Sequence, residues 1–387
     1  MSARSPGFRI AFISVVCGTL LLLDRLPRAP RPPDPVAVWP AGVKLPAEPV
    51  LLARSGGKIP APINTPAAHA SSLVAMPAEH PSVLLAFWFS GARESAADVQ
   101  IAASHFDRAT RQWSAARFVL NRHAMAEQLG FGLRRLGNPV AWCDSRGRIH
   151  LFVVATGLGG WASSRIVHLL QSNSGQDFAG LSFEVERVLP LSWLWNNSFL
   201  VRTAPLPLKD EGMVLPVHFE MGIKYPVALR FDARGEFLGM VRISTRKHLL
   251  QPTLLMEADT RWLALMRDQR VDGRVAVAQT VDGGRNWTDL PDLALHNPDS
   301  SVAGLALAPG RMLLAHNPLP KARTRLDLSA SIDGRNWVRA HTLAQGAGSA
   351  EYSYPALAWA DQSLWVSYTD QRQAIAWQRF SYSETRR

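Results

Sequence analysis

Residues able to carry acid–base or nucleophilic chemistry recur at matching points along this chain. Just before short apolar segments stand His69, Asn138, Asn197, Gln251, Asn297 with Asp299, and the run 351–354, which ends in Tyr354. Just after longer apolar segments stand Arg93, Glu94 and Asp98, then Trp161, Glu220 and Lys224, Arg267 and Asp268, His316 and Asn317, and Asp370 and Arg372. Strand ends buried in a plain core would be apolar, so polar residues at so many equivalent places point to one shared site. Tyrosine, glutamate and aspartate can supply a nucleophile and move protons. Arginine and lysine can hold an anion through charge-assisted hydrogen bonds. Together these groups suit acid–base or nucleophilic chemistry on an anionic ligand, or its capture without chemistry; a structural envelope protein would need neither.

The elements that position these residues repeat. A turn followed by an apolar strand occurs six times, starting at Pro81, Gly147, Gly212, Thr260, Gly310 and Ser363. A short strand precedes each copy, as in H-A-S-S-L-V from His69, G-N-P-V-A-W from Gly137 and L-Q-P-T-L-L from Leu250. A tryptophan-closed turn follows, clearest as T-V-D-G-G-R-N-W from Thr280 and S-I-D-G-R-N-W from Ser331. Asp accepts local backbone N–H bonds there and Gly takes positive φ. Weaker relatives end at Trp113 and Phe178. Four strands per unit and six units predict an all-β fold, a six-bladed β-propeller. Its last strand, 375–381, is expected to close the ring against the first blade. A helical pattern over 124–136 reads as an insertion.

The chain has 387 residues, 47% of them hydrophobic and 19% charged, which suits a packed core and excludes disorder. Thirteen tryptophans outnumber five tyrosines, in keeping with tryptophan used as a repeated packing plug. Cys17 and Cys143 lie far apart in different regions and predict no disulfide framework. Metal and phosphate-loop motifs are absent, so neither a metal nor a cofactor is expected. Net charge is +11. That balance suits an anion-handling domain; nucleic acid is not expected as a partner of an exported protein.

Export is read from the N-terminus, where Arg4 and Arg9 precede an apolar run from Ile10 to Leu23. The run is shorter than the roughly 20 residues of a full membrane span, and no small-x-small cleavage site follows it. Residues 1–26 are therefore expected to be a signal peptide or, in preference, an uncleaved anchor. Residues 27–64 read as a proline-rich linker and 65–387 as the propeller, with an envelope location and a monomeric state.

The two tryptophan turns resemble the Asp-box of sialidases and other proteins with bacterial-neuraminidase repeats, over about residues 65–380. The segments F-W-F-S-G-A-R-E-S-A-A-D-V, G-L-G-G-W-A-S-S, H-N-P-D-S-S-V and E-Y-S-Y-P-A-L-A-W are similar to the sialidase-like branch. The resemblance implies a retaining exo-glycosidase with a tyrosine nucleophile, because a carboxylate would be repelled by the acidic sugar. It implies Tyr354 as that nucleophile, with Tyr352 as the alternative. It implies Glu220 as the proton acceptor, with Glu351 second, and Asp98 as acid and base. Arg93, Arg267 and Arg325 are the implied carboxylate clamp, Arg323 fitting almost as well as Arg325. His69, Asn138, Asn197, Gln251, Asn297, Trp161 and Lys224 complete the expected substrate-binding set. The R-I-P motif of the family is missing before His69, and His316-Asn317-Pro318 stands where the family has Asn-x-Arg.

Overall fold

In the computed structural model the described residues are 13–19, 35–46, 49–94, 96–173, 177–193 and 195–384. Two α-helices lie among them, α1 at 13–19 and α2 at Arg122–Leu129. Strand β1 (Pro49–Lys58) comes before the first blade, which is β2 (Ala67–Ala75), β3 (Ser82–Gly91), β4 (Gln100–Asp107) and β5 (Arg117–Leu120). The second blade is β6 (Arg135–Cys143), β7 (Ile149–Thr156), β8 (Ser164–Gln171) and β9 (Phe183–Val188). In the third, β10 (Phe199–Val201) and β11 (Leu206–Pro207) share the inner edge of β12 (Met213–Phe219), followed by β13 (Tyr225–Phe231) and β14 (Phe237–Arg242). The fourth is β15 (Leu249–Met256), β16 (Trp262–Asp268), β17 (Ala276–Thr280) and β18 (Thr288–Leu290). The fifth is β19 (Ala303–Ala308), β20 (Arg311–His316), β21 (Arg325–Ser331) and β22 (Val338–Gln345). The sixth is β23 (Tyr352–Ala360), β24 (Ser363–Asp370) and β25 (Ala374–Glu384), completed on its outer edge by β1. This is a six-bladed β-propeller.

The six apolar repeats are the second strands of the blades. Each is covered on both faces by neighbouring blades, so its apolar run is continuous rather than alternating: every residue of β3, β7 and β16 is buried. The Asp-box turns join third to fourth strands, and in an antiparallel blade that places them on the face opposite the starts of the inner strands. Gly284 N–H donates to Thr280 Oγ1 at 2.9 Å, Asn286 N–H to Asp282 Oδ1 at 2.9 Å, and Trp287 Nε1 to the Gly284 carbonyl at 3.1 Å. The shorter copy makes the same set through Ser331, Asp333 and Gly334 at 2.8, 2.8 and 3.1 Å. Each asparagine also returns its amide to the turn aspartate, Asn286 to Asp282 and Asn336 to Asp333. Gly334 is required twice over: its φ is +68°, and a Cβ there would collide with Leu263 of the preceding blade.

Two expectations change. The ring is not closed by the last strand meeting the first blade: β25 pairs with β1 antiparallel from Pro49↔Glu384 to Lys58↔Ala376. Strand β1 and the C-terminal strand thus share one sheet, in which β1 covers the outer edge of β25. Behind that seam, Trp365 stacks on Trp377 at 5.5 Å and meets Phe106 of blade one at 4.7 Å. Nor are residues 35–64 a spacer. Ala37 is buried and bridges Leu208, Val38 N–H donates to Pro207, Trp39 packs on the blade-four core, and then β1 begins. Much of the anchor expected over 10–23 lies outside the described residues, and no helix among the described residues is long and apolar enough to cross a membrane. The insertion is α2, capped by the Asn121 side chain and ended by Gly130 at φ 71°.

Candidate functional site

At or shortly before the start of each inner strand lies one residue in the left-handed region: Ala70, Asn138, Ser198, Gln251, Asp299 and Tyr354, with φ of 56, 37, 68, 47, 50 and 53°. In four blades it falls within a register shift, at His69/Ser72, Gly137/Val140, Leu250/Thr253 and Ser353/Ala356. Such bulges re-aim a side chain. A non-glycine residue there is uncommon and costs about 1–3 kcal/mol, a strain that collects at functional sites. Six kinks thus stand at or next to the repeated polar positions of the sequence. A cavity of about 10 Å³ is lined by residues including Arg202, Thr203 and Thr253. That is room for about one water.

Tyr354 stands among these kinks. Arg267 Nη1 donates to its hydroxyl at 3.3 Å and to Gln251 Oε1 at 3.2 Å, while Arg267 Nε donates to Asp299 Oδ1 at 2.7 Å. His69 lies against the tyrosine ring at 4.3 Å, and the Arg202 guanidinium faces it at 5.1 Å. Burial raises the phenol pKa, but the charges of Arg267 and Arg323 and the bonds from Gln251 and Arg267 bring it below its ordinary value. His69 is held well below the usual histidine value by burial and by the charges of Arg372, Arg202, Arg323 and Arg267, so it is neutral.

The arginines are themselves tied down. Arg372 grips Glu351 with two bonds of 2.8 and 3.0 Å and also donates to Glu94. Arg323 donates to Glu351 at 3.2 Å and to the Asp299 carbonyl. Glu220 is 3.4 Å from His218 and 3.7 Å from Lys224, and Lys224 donates to Gln269 at 2.5 Å. Burial would raise the Glu220 pKa, yet His218, Lys224 and Arg267 bring it below the ordinary carboxylate value.

Of the residues expected from sequence, the structure brings together Tyr354, Arg267, Gln251 and His69, while Glu220, paired with Lys224, feels the charge of Arg267. Arg325 is not among them: it belongs to β21 and pairs with Asp327 at 2.8 Å, while Arg323, two residues earlier, acts on Tyr354. Tyr352 packs toward Tyr368 at 6.4 Å. Asp98 is exposed and accepts Ala92 N–H at 2.9 Å, in the same loop as exposed Arg93. Asn297 is a loop fastener, bonded to Ser300 and to Asp268 N–H, and Asn197 accepts from Arg165 at 3.0 Å. Asn138 is buried at its kink. Trp161 covers Gly137, where a Cβ would sit 2.9 Å from its ring. Among the described residues no group of three or more His, Cys, Asp or Glu could hold a metal ion. His218 and Arg202 were missed as site residues, and Asp299, named beside Asn297 in the sequence, is the residue that holds Arg267. Arg202 had one signal in the sequence, a charge directly after the apolar inner strand F-L-V.

Residues 82–366 match the BNR repeat-like domain. Among curated proteins none matches the sequence. The Hadza microbial sialidase Hz136 superposes with a TM-score of 0.63 at 16% identity, over 82% of this chain and 66% of that one. The Trypanosoma rangeli sialidase in complex with the inhibitor DANA gives 0.63 at 13%, over 85% and 60%. The NanB sialidase of Streptococcus pneumoniae gives 0.58 at 12%, over 86% and 70%. The chain thus spans about two thirds of the length of these sialidases, and at such identities the likeness shows a shared fold.

Proposed function

The chain belongs to the BNR repeat-like family, and from that premise we propose that it is a retaining exo-glycosidase for a terminal acidic sugar, sialic acid or a related keto-sugar acid. One observation carries the reading: a partly buried tyrosine in a left-handed backbone, its hydroxyl held by an arginine at 3.3 Å. In this mechanism the Tyr354 oxygen attacks the anomeric carbon and its proton passes to Glu220. Tyrosine suits a substrate whose own carboxylate, next to that carbon, would repel an aspartate or glutamate nucleophile. Arg267 and Arg323 hold the sugar carboxylate. Asp98, on the loop whose Glu94 binds Arg372, protonates the leaving oxygen and then activates water. The test is turnover of aryl glycosides of acidic sugars by the purified chain; full activity in Tyr354→Phe removes the mechanism. A second reading, a binding-only propeller, is favoured by the carboxylate that already holds each of Arg267, Arg323 and Arg372. Binding of the same glycosides without turnover would establish it.

We further propose that the protein is exported and tethered by residues 10–23. Pro35 lies against Gly283 in the blade-four Asp-box turn, so the chain enters the propeller on the face opposite Tyr354. A tether on that side leaves the site facing away from the membrane. Recovery of the full-length protein from a soluble cytosolic fraction would overturn this.

A further inference from the structure

Arg202 differs from every other arginine around Tyr354. It follows β10 on blade three and is 2% exposed. Its Nη1 donates to the Ser71 carbonyl of blade one at 3.1 Å, and its Nη2 to the Pro355 carbonyl of blade six at 2.9 Å. One side chain therefore ties three blades together across the axis. Both carbonyls adjoin left-handed residues, Ala70 and Tyr354, so the bonds lock two of the six kinks.

Its charge is the anomaly. Arg267, Arg323 and Arg372 each pair with a carboxylate. Arg202 has none among the described residues, and its Nε has no partner. Burial draws its pKa down to about 10, opposed only by Tyr354. A buried cation without a counter-ion is costly and is kept where something compensates it. Among the described residues the one group beside Arg202 able to become an anion is Tyr354, against whose ring face it lies at 5.1 Å.

We infer that Arg202 is a positioning residue that fixes Tyr354 and supplies the buried counter-charge for its phenolate. This rests on Tyr354 being the reactive oxygen of the proposed mechanism. A tyrosine attacks as its anion, and a fixed cation against the ring lowers the cost of forming that anion before substrate arrives. The other groups facing the phenol are Arg267 from β16 with Gln251 from β15, Arg323 from the loop before β21, and His69 from β2. Asp299 and Glu351 already neutralise Arg267 and Arg323 in part, and neutral His69 contributes no charge. Arg202 is the uncompensated cation of the set.

The test is a titration of the full chain followed in the tyrosinate absorption band, with Tyr354→Phe subtracted so that Tyr354 alone is read. Arg202→Gln keeps a donor amide but removes the charge. It should raise the Tyr354 midpoint by about a pH unit or more, a roughly tenfold loss of phenolate at fixed pH. Arg202→Lys keeps the charge and loses the fork that spans two carbonyls. Its midpoint should stay near wild type while turnover falls. A folded Arg202→Gln with the wild-type midpoint overturns the inference. Should that variant fail to fold, a midpoint in Arg202→Lys raised by about a pH unit or more above wild type overturns it. No substrate enters the titration, so a missing shift and a missing glycosidase activity are separate results.

Discussion

Arg267 reaches Tyr354 with the same nitrogen that holds Gln251, while its Nε is fixed by Asp299 at 2.7 Å. The guanidinium is therefore oriented before any ligand arrives, and removing the tyrosine hydroxyl leaves two of its three anchors in place. Tyr354→Phe should fold with an unchanged circular dichroism spectrum and lose at least about 10³-fold in kcat. Retained turnover in a folded Tyr354→Phe would exclude the tyrosine from the chemistry.

Arg323 and Arg325 separate function from stability. Arg323 acts on Tyr354 and on His69, while Arg325 pairs with Asp327 and reaches Thr342 on the strand ladder of blade five. Arg323→Ala should raise KM for an acidic glycoside by about 10- to 100-fold, the loss of one charge-assisted contact. Arg325→Ala should leave KM within about twofold and instead cost on the order of 1–3 kcal/mol in urea unfolding. The reverse pattern would return the clamp to Arg325.

Acid should weaken the fold through histidines buried in neutral form. Burial lowers His168 to about 3 and His316 to about 4. In the unfolded chain the same rings titrate near 6.5. Below that value the unfolded state binds protons that the folded state refuses, so stability is full above about pH 6.5 and falls as pH drops toward 4 and 3. Each such ring costs about 2 kcal/mol at pH 5. His316→Gln can keep the contact to Ser329, 3.0 Å away in the native protein, and should flatten the fall of Tm between pH 7 and 5. An unchanged slope would show that His316 takes no part.

The blade count was readable because the second strands are covered on both faces, so six apolar runs stand out from the loops between them. The turn chemistry of Asp282 with Gly284, and of Asp333 with Gly334, marked their phase. The arginines were harder to read. Arg323 and Arg325 are two residues apart, and only the start of the strand ladder at Arg325 decides which one escapes it and reaches the axis. Arg202 carries its meaning through contacts to Ser71 and Pro355, 131 and 153 residues away, which no local pattern encodes. β1 was hidden for another reason. Its residues after Leu51 are exposed, as suits an outer strand, so it lacks the apolar signature of the strands inside.

That hidden strand yields the last prediction. Lys58, Gly57, Gly56 and Ser55 pair with residues 376–379, and the pairing continues to Pro49 opposite Glu384. Before it, Ala37 and Trp39 seal blades three and four. Deleting residues 1–34 removes neither, so the truncated domain should be soluble, monodisperse and as stable as the full chain. Deleting residues 1–58 strips the outer strand from blade six and bares the whole edge of β25. An uncovered edge of that length is a template for pairing with other chains. The shorter product should aggregate or unfold at lower urea than the 35–387 product. Equal stability of the two in urea titration and light scattering would mean that the ring closes without β1.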